Sequence, residues 1–253
     1  MDFMQWLLTA QVPVAGSALL LREVVGNAFG LASALGGMTR RVWAWPAGIA
    51  GNLILLTVFA GAAVGLAPES GVGSVTLYGQ AGRQIMFLAV SGYGWVQWRR
   101  ARSQALAHDA GSSPSAESGA IAPRWAGGQA RLGLVVAMAA GTAALTPLFS
   151  VLGSYPPVWA DAWTFMGSLL ATYGMARGWT EFWLIWVAVD LVGVPLLFSA
   201  GYVASAVMYA FYGAFTLAGF FVWLRAQRRA AAGMTPAAEA LTSGAGTSGA
   251  VAG

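Results

Sequence analysis

The sequence predicts an all-α polytopic membrane protein: seven transmembrane helices forming two parallel three-helix repeats joined by a connector helix, a 3+1+3 layout. Three observations carry that expectation. The chain is 58% hydrophobic and 9% charged, where soluble domains carry about 25% charged residues. Its apolar stretches divide into seven segments near the roughly 20 residues that a bilayer requires. Finally, spacings recur. Trp45 and Asn52 in span two are spaced as Trp183 and Asp190 are in span six, and Gly94-x-x-x-Trp98 closes span three as Gly219-x-x-x-Trp223 closes span seven.

Residues 1–16 read as an N-terminal interfacial segment, apolar, broken by Pro13, and without the positive region of a signal peptide. The first repeat covers 17–98. Its first span, Ser17–Met38, holds Gly26-x-x-x-Gly30, a spacing that lets helices approach closely. Arg40 and Arg41 turn the chain into a second span that opens on Trp45-Pro46 and runs to about Leu66, with Pro where a helix start needs no N–H. A Gly/Ser/Pro loop at 67–75 leads to span three, Tyr78–Trp98, which carries Arg83 and Gln84 near its outer end.

Residues 99–131 read as a cytosolic linker with a Ser/Ala/Gly-rich, compositionally disordered middle. The connector follows at 132–152 and the second repeat at 153–225. Pro156-Pro157 and Trp159 mark an interfacial turn. Span five then ends near Ala176, span six runs Thr180–Ser199, and span seven Tyr202–Trp223. Residues 226–253 form an Ala/Gly/Ser/Thr tail expected to be disordered.

Seven spans put the termini on opposite sides. One side would hold eleven arginines (40, 41, 99, 100, 102, 124, 131, 177, 225, 228, 229) and the other only Arg22. By the positive-inside rule the N-terminus is expected outside and the C-terminus in the cytosol.

Missing residue types exclude several chemistries. All thirteen basic residues are arginine, so no P-loop lysine or Schiff-base lysine exists. With no cysteine there is no disulfide, thiolate metal site or thiol nucleophile, and the lone histidine, His108, lies in the linker. No catalytic residue, metal or cofactor is called for.

Arg177–Asp190, RGWTEFWLIWVAVD, is the stretch that points to a site. Helical spacing places Trp183, Trp186 and Asp190 on one face. A carboxylate inside an apolar span is costly and normally faces a bundle interior or watery cavity, and indoles beside it can stack on a flat ring, a cationic one especially. The plainer alternative is that both indoles pack and Asp190 satisfies a neighbouring donor. Arg83 is expected to snorkel or to pair with Glu23, Asp161 or Asp190, with contact to a substrate as the lesser alternative; Glu23, Asp161 and Glu181 are read as structural or pairing residues.

Several motifs together resemble the Pnu family of bacterial B-vitamin transporters, whose PnuC branch carries nicotinamide riboside. They are Glu23-x-x-Gly26 with Gly30-Leu31, Trp45-Pro46 with Asn52, Tyr78 with Gln84, and Tyr93-Gly94-Trp95-x-x-Trp98. Asp161, Arg177 through Glu181, and Trp183-x-x-Trp186 complete the set. The resemblance implies facilitated diffusion of an unphosphorylated vitamin across the bacterial inner membrane, with trapping by a cytosolic kinase. It implies that Trp183 and Trp186 hold the aromatic base and that Asn52, Gln84 and Asp190, beside Trp45, bind sugar or amide. The partners implied are the vitamin, the lipid bilayer and that kinase, with no nucleic acid; homo-oligomerisation stays open.

Asp190 departs from the asparagine usual in the nicotinamide riboside carriers. EFW-x-x-W-x-x-VDLVGVP instead resembles the riboflavin branch, RibM or PnuX. A midplane carboxylate, however, suits a cationic pyridinium better than a neutral flavin. Nicotinamide riboside is therefore the first expectation and riboflavin the alternative, with thiamine third. Further away stands a membrane-embedded enzyme using Glu23, Asp161, Glu181 or Asp190 as acid and base, but these carboxylates are scattered singly and no DxxD pair exists.

Overall fold

The structure is a computed structural model that describes residues 10–14, 17–60, 78–108, 121–152, 157–199 and 210–230. The 67–75 loop, the beginning of span seven and the tail beyond 230 lie outside these residues. Seven helices run through the described part: α1 (Leu21–Met38), α2 (Ala44–Phe59), α3 (Tyr78–His108), α4 (Gly128–Val151), α5 (Val158–Ala176), α6 (Glu181–Ser199) and α7 (residues 210–230).

Five element boundaries differ from the sequence reading. α2 ends at Phe59, where Ala60 N–H caps it on Leu56 O at 2.9 Å, short of the expected Leu66. Strands β1 (Gln11–Val14) and β2 (Ser17–Leu20) form an antiparallel hairpin, so part of the supposed interfacial segment is sheet and the first helix starts at Leu21 instead of Ser17. Pairing occupies the backbone of Ser17–Leu20, and Leu21 N–H closes the hairpin on Ala10 O at 2.8 Å. α3 runs ten residues past Trp98 to His108, through a stretch read as linker. Its arginines mark it as polar, but Arg, Ala, Gln and Leu are all good helix formers. α4 starts at Gly128, ahead of Leu132. α7 continues through Arg229, into residues assigned to the tail.

α1 packs on α2, α2 on α3, α5 on α6, and α3 on α5 across the two halves; α4 rests on α5. The outside of the bundle is apolar. Leu132 and Val135 of α4 are 65% and 67% exposed, and Phe29, Leu53, Ile85 and Leu191 also face outward, as a lipid-facing surface requires. α4 is the described helix that passes a length-and-hydropathy test for spanning a bilayer, and Ala44–Val58 is a shorter apolar helix.

The internal repeat is written in the backbone of two turns. After α1, Arg40 adopts φ 56°, with Arg40 N–H on Gly37 O (3.1 Å) and Arg41 N–H on Gly36 O (2.8 Å). After α5, Gly178 adopts φ 70°, with Gly178 N–H on Met175 O (3.0 Å) and Trp179 N–H on Gly174 O (2.9 Å). Both are Schellman-type ends in which a left-handed residue satisfies the last carbonyls of a helix. Each turn then starts its next helix alike: Trp45 N–H meets Val42 O and Trp183 N–H meets Thr180 O, both at 3.3 Å.

Residues 121–127, read as the end of a disordered linker, form an ordered strap across these turns. Arg124 bridges to Trp179, its N–H on Gly178 O and its C=O accepting from Thr180 N–H. Arg40 Nη1 reaches Ile121 O at 3.5 Å. Glu181 holds the strap through both oxygens, which accept from Ala126 N–H at 3.0 Å, while Arg131 Nε donates to Oε1 at 2.7 Å.

Candidate functional site

A cavity of ≈ 410 Å³ lies between the two three-helix units. All six residues singled out for binding line it: Trp45, Asn52, Gln84, Trp183, Trp186 and Asp190. They come from α2, α3 and α6, and α1, α5 and α7 complete the wall.

Its floor is a cluster of indoles made by the repeat. Trp45 of α2 meets Trp98 of α3 edge-on at 5.4 Å, and Trp183 of α6 meets Trp223 of α7 at 6.2 Å. Trp98 and Trp223 face each other at 6.3 Å. Their N–H groups are spent across the halves: Trp98 Nε1 donates to Met175 O at the end of α5, and Trp223 Nε1 to Gly37 O and Met38 O at the end of α1, all at 3.2 Å. Gly94 and Gly219 explain the shared Gly-x-x-x-Trp ending. A Cβ at either would run into the benzo ring of Trp45 or Trp183 respectively.

The two indoles of the Trp-x-x-Trp motif are not equivalent. Trp183 is 3% exposed and wedged among Phe182 (4.3 Å), Phe215 and Trp223, so only part of it reaches the cavity. Trp186 is half-buried on the wall. Asp190 sits against Gly213 of α7, where a Cβ would lie 3.4 Å from Oδ2.

Among the described residues, four buried polar atoms of this set have no hydrogen-bond partner: Nε1 of Trp45, Nε1 of Trp183, Oε1 of Gln84 and Oδ2 of Asp190. Buried polar groups are nearly always satisfied, and an orphan costs about 1–3 kcal/mol. Two donors and two acceptors left open around one cavity are what a polar ligand would complete.

The charged residues read as structural sit at its margins. Arg83 pairs with Asp161 (Nη2–Oδ1 3.4 Å) and donates to Thr164 Oγ1, linking α3 to α5, while also lining the cavity. Glu181 serves the strap. Glu23 stands in the first turn of α1, where Asn27 Nδ2 donates to its carbonyl. Of Gly26-x-x-x-Gly30, only Gly26 does what the motif promised, since a Cβ there would meet Leu55 at 2.8 Å. A Cβ at Gly30 would meet none of the described residues within 4 Å, and Gly30 opens onto the cavity.

Sequence reasoning missed Ser168, Thr172, Phe87, Ser91, Tyr212 and Thr216, which also line the cavity. The repeat held a signal for four of them. Counted back from Trp98 and from Trp223, Phe87 pairs with Tyr212 and Ser91 with Thr216.

Comparison with known proteins agrees with this architecture. A family model described as Nicotinamide mononucleotide transporter matches residues 20–225. The Riboflavin/roseoflavin transporter RibM of Streptomyces davaonensis is 34% identical over 230 residues, covering 89% of this chain and 95% of that protein. The crystal structure of the Vitamin B3 transporter PnuC superposes with a TM-score of 0.60 over 82% of each chain at 18% identity, a likeness of fold. A match across nearly the whole helical bundle, over a cavity built by two repeats, places the chain in the nicotinamide mononucleotide transporter (PnuC) family of membrane proteins.

Proposed function

We propose that this protein carries riboflavin across the membrane by facilitated diffusion. The observation that carries the reading is the cavity: an apolar slot with an indole face at Trp186, closed by a floor of indoles, and ringed by two unpartnered donors and two unpartnered acceptors. A volume of ≈ 410 Å³ lies in the range of small-molecule sites. A flavin fits its chemistry. The tricyclic ring gives a large face for Trp186, its polar edge carries carbonyl acceptors and an imide N–H, and the ribityl chain adds hydroxyls. Similarity to a riboflavin/roseoflavin transporter along 89% of the chain supports the same choice. Riboflavin thus moves ahead of nicotinamide riboside, the first expectation from sequence.

Nicotinamide riboside remains the second reading on one observation: the unpartnered Asp190 Oδ2 in the wall could meet a pyridinium. The arginine-rich end, with Arg40, Arg99, Arg177 and Arg225, faces the cytosol on the positive-inside rule. Phosphorylation by a cytosolic kinase would then make entry one-way, with no chemistry asked of the carrier.

Uptake of labelled riboflavin, nicotinamide riboside and thiamine into proteoliposomes lacking ATP and ion gradients tests this. Riboflavin is expected to equilibrate and not to accumulate. Entry of nicotinamide riboside with no entry of riboflavin would overturn the substrate, and accumulation above the outside level would overturn the mechanism.

A further inference from the structure

The two left-handed turn residues, Arg40 and Gly178, fix the register of the repeat without reference to side chains. Counting back equally from each pairs Gly30 of α1 with Ser168 of α5, and Ala34 with Thr172. All four line the cavity. At both positions the first half presents a bare wall and the second half a hydroxyl.

Those hydroxyls are set as acceptors. Ser168 Oγ donates to Thr164 O at 2.7 Å and Thr172 Oγ1 to Ser168 O at 2.8 Å. Each proton is therefore committed to the helix backbone, and the oxygen lone pairs remain. Both residues are buried, at 3% and 9% exposure. Such back-bonding is common for Ser and Thr in helices; what distinguishes this pair is its place on the cavity wall, one turn apart, where the repeat partners have no side-chain oxygen. The neighbouring hydroxyls behave alike: Ser33 Oγ donates to Ala44 O and Thr216 Oγ1 to Gly213 O. Gln84 Oε1 and Asp190 Oδ2, also open, add two further acceptors to the wall.

We propose that Ser168 and Thr172 form the track that reads the substrate's polyol chain, accepting hydrogen bonds from its hydroxyls and so selecting a ring that carries such a chain over the bare ring. A polyol brings hydroxyl donors to these acceptors, and two oxygens one helical turn apart match a chain lying along α5. The proposal deepens the riboflavin reading and rests on it.

The test compares riboflavin with lumichrome, a flavin ring without the ribityl chain, by ligand-fluorescence titration of purified protein. Wild type is expected to bind riboflavin at least tenfold more tightly. Ser168→Ala with Thr172→Val should cost riboflavin about tenfold or more, at roughly fivefold per lost hydrogen bond, and shift lumichrome by less than about twofold. Thr172→Ser, which keeps the oxygen, should stay near wild type. If the double variant does not purify folded, Thr172→Val against Thr172→Ser decides: about a fivefold gap supports the track and equal affinities overturn it. Equal binding of the two ligands by wild type, or equal losses of both in the double variant, would sink the track and leave the riboflavin reading standing. Absence of riboflavin binding by wild type would sink both.

Discussion

Replacing Trp183 and Trp186 one at a time by Ala separates two roles that the Trp-x-x-Trp motif conflates. Trp183 is 3% exposed, lies 4.3 Å from Phe182, and fills the space that Gly219 leaves open. Its removal opens a hole in the floor, and Trp→Ala changes of this kind cost about 3–5 kcal/mol of stability. Trp186 is half-buried on the cavity wall. Its removal should cost less stability and about 1–3 kcal/mol of ligand binding, the usual worth of stacking on an aromatic face, or roughly 5- to 150-fold in Kd. Phe at 186 should restore part of that loss because it keeps a π-face. Thermal unfolding of the ligand-free proteins, with a riboflavin titration of each, reads both quantities. Trp183→Ala is expected to melt far lower, and Trp186→Ala to melt near wild type and bind weakly. Unchanged affinity in Trp186→Ala would remove that indole from the site. A Trp183→Ala protein that melts like wild type would refute the account of the floor.

Three further outcomes follow. Asp190→Asn should cost riboflavin about 1 kcal/mol or less, since an amide oxygen replaces the acceptor, and cost any cationic ligand more than about tenfold in Kd; equilibrium binding of both vitamins checks it. Gly94→Ala and Gly219→Ala should destabilise to a similar degree, about 1–3 kcal/mol each by overpacking, because each puts a methyl into an equivalent indole; thermal melts that differ widely would break the equivalence. Glu181→Ala should release the 121–127 strap and speed its amide exchange and proteolysis. Arg131→Ala should do less, because its side chain is 52% exposed and Ala126 N–H keeps its carboxylate partner.

The bundle was legible because each apolar stretch is long and the paired spacings Trp45/Asn52 and Trp183/Asp190 recur. The hairpin before α1 was not, since Pro13 and an apolar run fit an interfacial coil equally well. The helical extension Arg99–His108 was masked by its charge, although charge and helix propensity are independent properties. The strap was hidden because its order comes from Glu181 and Thr180, both more than fifty residues further along the chain. Cavity residues stood out where the type was unusual for an apolar span, as with Asp190, Asn52 and Gln84, or where spacing drew attention to them, as with the tryptophans. Ser168 and Thr172 are ordinary in a helix, and only knowing which way α5 faces distinguishes them. The spacing of Trp183 and Trp186 likewise predicted a shared face, but not that one indole would be enclosed by Phe182 and Trp223.

Where the halves match and where they differ divides the labour of the protein. The matched features are the left-handed turns at Arg40 and Gly178, the glycine seats at Gly94 and Gly219, and the crossed indole bonds of Trp98 and Trp223. All of them lie at the arginine-rich end, where each half closes onto the helix end of the other. Each half therefore holds the other there by an equivalent indole-to-carbonyl bond. The cavity above keeps part of the symmetry, with Asn52 matched to Asp190 and Ser91 to Thr216, and breaks it where Gly48 corresponds to Trp186, Gly30 to Ser168 and Ala34 to Thr172. A vitamin with a flat ring at one end and a hydroxyl chain at the other has no two-fold axis. A fully symmetric wall would accept it in two orientations and prefer neither. On the riboflavin reading, an indole and two hydroxyls in one half, where the other has Gly48, Gly30 and Ala34, favour one pose of such a ligand over its two-fold mate.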